Sequence, residues 1–329
     1  MDETGAGCVF DKVVAGEKLG GFVNERMAVF QRADFVARIL DAAHRLASLP
    51  TSYGGGETNE WESALASAGD PDAFRTHYSA VNADTVCDFL AFSPHNPSSI
   101  RSCIEAAREN ARSVRTALTT EMWDAINGAW LELRNYAGKD LNRDEFGRFL
   151  DWVKTVSLTF DGSAFRTMLR NDAFWFTRLG TAIERADNTA RILDVKYQIL
   201  LPQDETVGGS LDYFQWTTIL REVSAFNAYH WVYRESIKPL LVADLLMLNK
   251  QMPRSFANCY GVIVEYLDLI ADAYGRRGPS QRLAGNMLAK LEGEDIDRVF
   301  ASGLHEFVEA FIAENNRVGE AIAKQYLVG

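Results

Sequence analysis

Cysteine, proline and clustered histidine are all scarce in this chain, and each shortage narrows what it can be. Four cysteines in 329 residues (Cys8, Cys87, Cys103 and Cys259) lie far apart with no CxxC spacing. That excludes a disulfide-stapled scaffold and fits buried or free thiols in a reducing compartment, so the expected location is the cytoplasm. The five histidines are equally scattered, with no HExxH and no Cys/His group at zinc spacing, so nothing nominates a metal or other cofactor. No apolar run approaches the roughly 20 residues a membrane helix needs. The longest candidate, Pro239 to Leu248, is cut by Asp244. Asp2, Glu3, Asp11, Lys12, Glu17 and Lys18 leave the first thirty residues without the apolar core of a secretion signal. Basic residues fall short of acidic ones, 34 against 45, and a net charge of −11 is not that of a nucleic-acid coat. Only eight prolines occur, about half the usual frequency. Because proline interrupts helices, this scarcity leaves room for long ones.

What is present reads as helix almost throughout. From Ala173 to Leu200, the residues Leu179, Ile183, Ala186, Ala190, Leu193 and Tyr197 recur at steps of four and three, which line one helical face. Pro202 closes that segment. Similar periodicity predicts helices at about 24–48, 82–91, 97–118, 120–137, 144–160, 210–235, 253–275 and 294–327. Between them, Pro50 to Asn59 with Gly54, Gly55 and Gly56 reads as a loop, Asp161-Gly162-Ser163 as a break, and Ser210 as an N-cap. Strands with alternating β-branched residues are absent. The expected fold is all-α, a multi-helix bundle.

One helical segment occurs twice. Arg32-Ala33-Asp34-Phe35-Val36-Ala37-Arg38-Ile39-Leu40-Asp41 matches Arg185-Ala186-Asp187-Asn188-Thr189-Ala190-Arg191-Ile192-Leu193-Asp194 at all but two positions. A separation of 153 residues, from 32 to 185, is too long for a solenoid repeat and points to two related half-domains. Within each copy an aspartate precedes an arginine by four residues, so Asp34 pairs with Arg38 and Asp187 with Arg191. The alanines let a partner helix approach. Such pairs are commonly solvated and contribute only about 0.3–0.5 kcal/mol. Their duplication raises two other uses: a buried Arg–Asp network that fixes helix docking, or a site for a carboxylate or phosphate, which guanidinium recognises through paired hydrogen bonds.

Other features carry less chemistry. The triple glycine lacks the context of a phosphate loop, no serine sits in a GxSxG elbow, and Cys103 lies in a helical pattern as a small core residue. The aromatics Tyr213, Phe214, Trp216, Phe226, Tyr229, Trp231 and Tyr233 crowd one stretch and read first as core, with a partner-docking face as the other reading.

The run from Met168-Leu169-Arg170-Asn171-Asp172 through Arg178-Leu179-Gly180 to Glu184-Arg185-Ala186-Asp187-Asn188-Thr189-Ala190-Arg191 resembles the signature of the bacterial alpha-E domain family. Supporting stretches are Asn96-Pro97-Ser98-Ser99-Ile100 with Ala107 to Arg112, then Val207 to Asp212, and Met252-Pro253-Arg254-Ser255. The resemblance implies one helical domain over 31–327 after a divergent segment at 1–30, with Gln31 standing where the family has a glutamate. It implies no reaction for the domain itself. It places the chain beside circularly permuted ATP-grasp amide ligases and transglutaminase-like proteins, in a peptide-modifying setting. The motif residues carry over onto Glu184, Arg185, Asp187, Asn188, Arg191 and Asp194, and in the first copy onto Arg32, Asp34, Arg38 and Asp41. With Asn110 and Arg112 of the 105–112 helix, these form the expected polar cavity for a peptide end or small carboxylate, Arg185 and Arg191 being buried against carboxylates. Two functions compete: a non-catalytic helical partner in that system, or an enzyme of the same pathway acting on a peptide or acyl group through the duplicated helices. Neither nucleic acid nor membrane is an expected partner.

Overall fold

Residues 28–48, 60–136, 138–139, 141–198 and 209–326 are described by a computed structural model. The first 27 residues, the 50–59 glycine loop and Pro202 lie outside them. Among the described residues every regular element is helical. In chain order these are α1 (Ala28–Ala47), α2 (Glu60–Ala68), α3 (Pro71–His77), α4 (Ala83–Ala91), α5 (Ile100–Ser113), α6 (Thr120–Leu133) and α7 (Arg143–Thr167). There follow α8 (Asp172–Gln198), α9 (Ser210–Glu222), α10 (Phe226–Tyr233), α11 (Pro239–Met247), α12 (Phe256–Tyr274), α13 (Pro279–Gly293), α14 (Ile296–Ser302) and α15 (Leu304–Tyr326). None is long and apolar enough to cross a membrane.

The helices close into two rings. In the first, α1 packs on α5, α5 on α6, α6 on α7 and α7 back on α1. In the second, α8 packs on α12, α12 on α13, α13 on α15 and α15 back on α8. The rings meet where α1 packs on α8, so the two copies of the repeated segment form the seam. Aromatic and aliphatic side chains fill both rings, with Phe149 and Leu40 fully buried in the first and Phe256, Tyr260 and Phe311 in the second.

The likeness of the halves extends to their caps. Ser99 caps α5 by accepting from the Ser102 amide, and Ser255 caps α12 by accepting from the Asn258 amide. Ser99 Oγ donates to the Ser93 carbonyl and Ser255 Oγ to the Asn249 carbonyl. Tyr78 donates to Asp88 in α4, and Tyr233 to Asp244 in α11. Pro97-Ser98-Ser99 before α5 therefore corresponds to Pro253-Arg254-Ser255 before α12. By the same order of elements, the end of α2 corresponds to the end of α9.

Several expected boundaries move. The break at 161–163 does not exist, because α7 runs through it to Thr167. Glycine costs a helix about 1 kcal/mol, and burial of the flanking Phe160 and Ala164 outweighs it here. The single helix expected over 210–235 is two, divided at Ser224, whose φ of 57° is left-handed. The helix expected over 294–327 is likewise divided at Gly303, where φ is 105°. The cap before α9 is Gly209, without a side-chain bond, rather than Ser210. Four helices, α2, α3, α11 and α13, were not predicted. Three of them begin with proline (Pro71, Pro239, Pro279), which at the first turn starts a helix because its missing N–H is not needed there. The aromatic stretch divides: Trp216 and Tyr229 are buried, whereas Tyr213, Phe214 and Trp231 are exposed.

Candidate functional site

At the seam, small side chains bring α1 and α8 together. Ala33 and Ala37 on α1 and Ala186 and Ala190 on α8 are all buried. Threonines in α8 enter the core without cost in lost hydrogen bonds, because Thr177, Thr181 and Thr189 each donate to the carbonyl four residues earlier. Two bonds cross between the copies. Asn188 Nδ2 donates to the Gln31 carbonyl at 3.2 Å, and Arg32 Nη2 meets Glu184 Oε1 at 3.1 Å. The equivalent of the second pair would join Arg185 to position 31, where this chain has glutamine. Arg185 binds Asp161 of α7 instead, at 3.4 Å, and the buried Gln31 Oε1 and Arg185 Nε are left without partners.

Beside the seam lies a half-open cleft of about 290 Å³. Five of the residues singled out from sequence line it: Arg32, Glu184, Asp187, Asn188 and Arg191. Arg191 Nε binds Asp187 Oδ2 at 2.6 Å. Burial pushes the Glu184 carboxyl up, and the Arg32 guanidinium opposes that shift. Glu184 in turn holds Arg32 more firmly protonated than usual. The two guanidiniums are 42% and 36% exposed, and each commits one nitrogen to its carboxylate, leaving further N–H groups toward the cleft. Ser67, Ser98, Asn315 and Asn316 complete the polar wall. Asn315 is tied in place, accepting from Tyr260 at 3.0 Å and donating to the Ile183 carbonyl at 3.2 Å. Two oxygens of these lining residues, Ser67 Oγ and Asp187 Oδ1, are buried and have no partner.

The first copy of the motif meets a different environment. Asp34, 1% exposed, accepts from Arg38 Nε at 2.8 Å and from Arg254 Nη2 at 3.3 Å through the same oxygen. Arg38 also donates to the Glu222 carbonyl and to Ser224 Oγ, at the C-terminus of α9, where a cation meets the negative end of the helix dipole. Burial, reinforced by the neighbouring Arg38 and Arg185, lowers Arg254 to about 10, while Asp34 opposes the shift. Arg178 shares Asp161 with Arg185.

The remaining motif residues stand apart from the cleft. Asp41 pairs with Lys154 of α7 at 2.7 Å and with Arg45 at 3.2 Å. Asp194 pairs with His305 at 2.6 Å, a hydrogen bond that raises the histidine's pKa. Asn110 and Arg112 do not line the cavity. Their end of α5 is far along the helix from Ser98, and Arg112 points to solvent beside Glu109. Arg191 is not mainly buried as expected, since its guanidinium reaches the cleft mouth. Sequence reasoning missed Ser67, Asn315 and Asn316, polar residues of helices with no motif around them. It saw the stretches holding Ser98 and Arg254 but gave those residues no role. A signal was available in the matching Pro97-Ser98-Ser99 and Pro253-Arg254-Ser255.

A second pocket, of about 440 Å³, holds Cys87 Sγ 3.6 Å from His44 Nε2, with Asp84, Asp88 and Arg143 at its edge. Burial, with Asp84 and Asp88 beside it, pushes the thiol up to about 12, and burial lowers the imidazole. The thiol is thus held protonated, the opposite of an activated nucleophile.

Comparison with known proteins gives a single finding. No curated protein and no solved structure matches the chain significantly. A family model described as a predicted alpha-helical domain with a conserved ER motif matches residues 30–327. Within that span Glu184-Arg185 is a Glu-Arg pair, whose partners are Arg32 across the seam and Asp161 on α7. The chain belongs to the Alpha-E family.

Proposed function

We propose that this protein is a non-catalytic helical module that holds a peptide end, a carboxylate- or amide-bearing group, in the cleft between α1 and α8. The observation that carries this reading is a polar, half-open cleft of about 290 Å³ flanked by two part-exposed guanidiniums, each with N–H groups to spare. Arg32 and Arg191 offer N–H pairs to a carboxylate, and the amide side chains of Asn188 and Asn316 suit a peptide bond, since each both donates and accepts. The resemblance of the sequence motifs supplies the setting: an accessory to an ATP-grasp amide ligase or a transglutaminase-like protein.

Calorimetric titration of di- and tripeptides with free and with amidated ends tests the proposal. The wild-type protein is expected to bind them, and Arg191→Lys to weaken those with a free carboxylate by about tenfold, since lysine cannot form the paired contact. Glu184→Gln is expected to weaken binding less. Absence of heat for every peptide, free or amidated, would sink this reading.

A further inference from the structure

The cleft has a filled counterpart in the same molecule. Asp187, Arg191 and Arg32 correspond to Asp34, Arg38 and Arg185. Those three surround Arg254, which lies within bonding distance of Asp34 and feels the charges of Arg38 and Arg185. Residues at the matching places in the open half are smaller. Ser98 replaces Arg254, Ser67 replaces Glu222, and Gly69 replaces Ser224. All three of the smaller residues line the cleft. The cleft is therefore the volume left where one half lacks the other half's arginine.

We infer that the cleft takes a guanidinium or ammonium group, seated against Asp187 in the position that Arg254 occupies against Asp34. This rests on the peptide-binding reading above and names its substrate class: a peptide end or amino-acid derivative that carries a basic group beside its carboxylate. The carboxylates agree. Asp34 Oδ2 accepts from both Arg38 and Arg254, whereas the matching Asp187 Oδ2 accepts from Arg191, and Oδ1 is without a partner in both halves. A carboxylate is acceptor-only, so the group that takes Arg254's place must donate. Ser67, 8% exposed, lines the same cleft with a hydroxyl that can accept a second N–H. A carboxylate of the same ligand remains free to meet Arg32 or Arg191 at the mouth.

The test compares Nα-acetyl-arginine with Nα-acetyl-citrulline, its neutral isostere, by calorimetry on the full chain. Acetyl-arginine is expected to bind at least tenfold tighter, and Asp187→Asn to erase that difference. Ser98→Arg supplies the missing side chain from within. It is expected to raise Tm and to abolish acetyl-arginine binding, as a copy of the filled half. Circular dichroism of each variant checks that it folds, and Ser67→Ala, a smaller change, is expected to weaken acetyl-arginine several-fold. Equal affinity for the arginine and citrulline compounds would overturn the cation site while leaving a carboxylate-binding cleft. Undiminished binding by folded Ser98→Arg would overturn the placement. No binding of any peptide or derivative would overturn this inference together with the reading beneath it.

Discussion

Asp34→Ala is expected to destabilise the protein by about 3–5 kcal/mol, because it strips the shared carboxylate from two buried guanidiniums at once. The same substitution in the second copy, Asp187→Ala, is expected to cost about 1 kcal/mol or less, since its partner Arg191 is one-third exposed and water replaces the lost contact. The pairs are alike in sequence and in geometry, each joining aspartate Oδ2 to arginine Nε four residues on. Burial and the second arginine on Asp34, Arg254, separate them. Urea unfolding of both variants beside wild type measures the contrast. Equal losses would show that neither the burial of Asp34 nor its second partner has energetic weight.

Glu222→Gln is expected to stabilise the protein above neutral pH. The Glu222 side chain is buried on α9, and that burial, with Asp41 adding to it, raises its pKa to about 8; Lys154, Arg45 and Arg38 pull the other way. A carboxyl with a folded-state pKa above its unfolded value near 4.3 keeps a proton in the folded state that the unfolded chain has lost. Its contribution is therefore fully present below about pH 4 and falls away as pH rises toward 8. Glutamine carries no such penalty. The stability difference between variant and wild type should grow from pH 5 to pH 8.5 by on the order of 3 kcal/mol. Asp41 is shifted downward, so its own titration lies below this window. Denaturation midpoints at pH 5, 7 and 8.5 decide the matter. A difference independent of pH would mean that Arg45, 3.4 Å from Glu222, keeps the carboxylate ionised throughout.

The repeated Arg-Ala-Asp segment was legible because its information is local: spacing places Asp34 under Arg38, and alanine recurrence marks the face that meets another helix. What lies opposite was not legible. Arg254 reaches Asp34 from a segment 220 residues away, and nothing near either residue announces the partner. Asn315 sits in a polar run, Glu314 to Arg317, that reads as a solvated face, and Ser67 is a serine between two alanines; only the packing of α15 and α2 brings them to the cleft. Asn110 and Arg112 misled for a related reason. They repeat the charge pattern of the motif helices, but their end of α5 faces solvent. Helix breaks were misplaced where tertiary forces overruled local preference, as at Gly162 inside α7 and at Ser224, where Arg38 holds the end of α9.

The bonds gathered around Asp34 and Arg38 join parts of the chain 184 to 220 residues apart. Closing such loops costs entropy before any contact repays it. The cluster is therefore expected among the last contacts made and the first to break, and Asp34→Asn should speed unfolding while leaving the folding rate little changed. Interactions absent from the transition state govern the rate of opening rather than the rate of folding. A buried cluster of this kind acts as a latch in time. Weakening it shortens the native lifetime, and with it resistance to proteases, while the speed with which a fresh chain finds its fold is left nearly untouched.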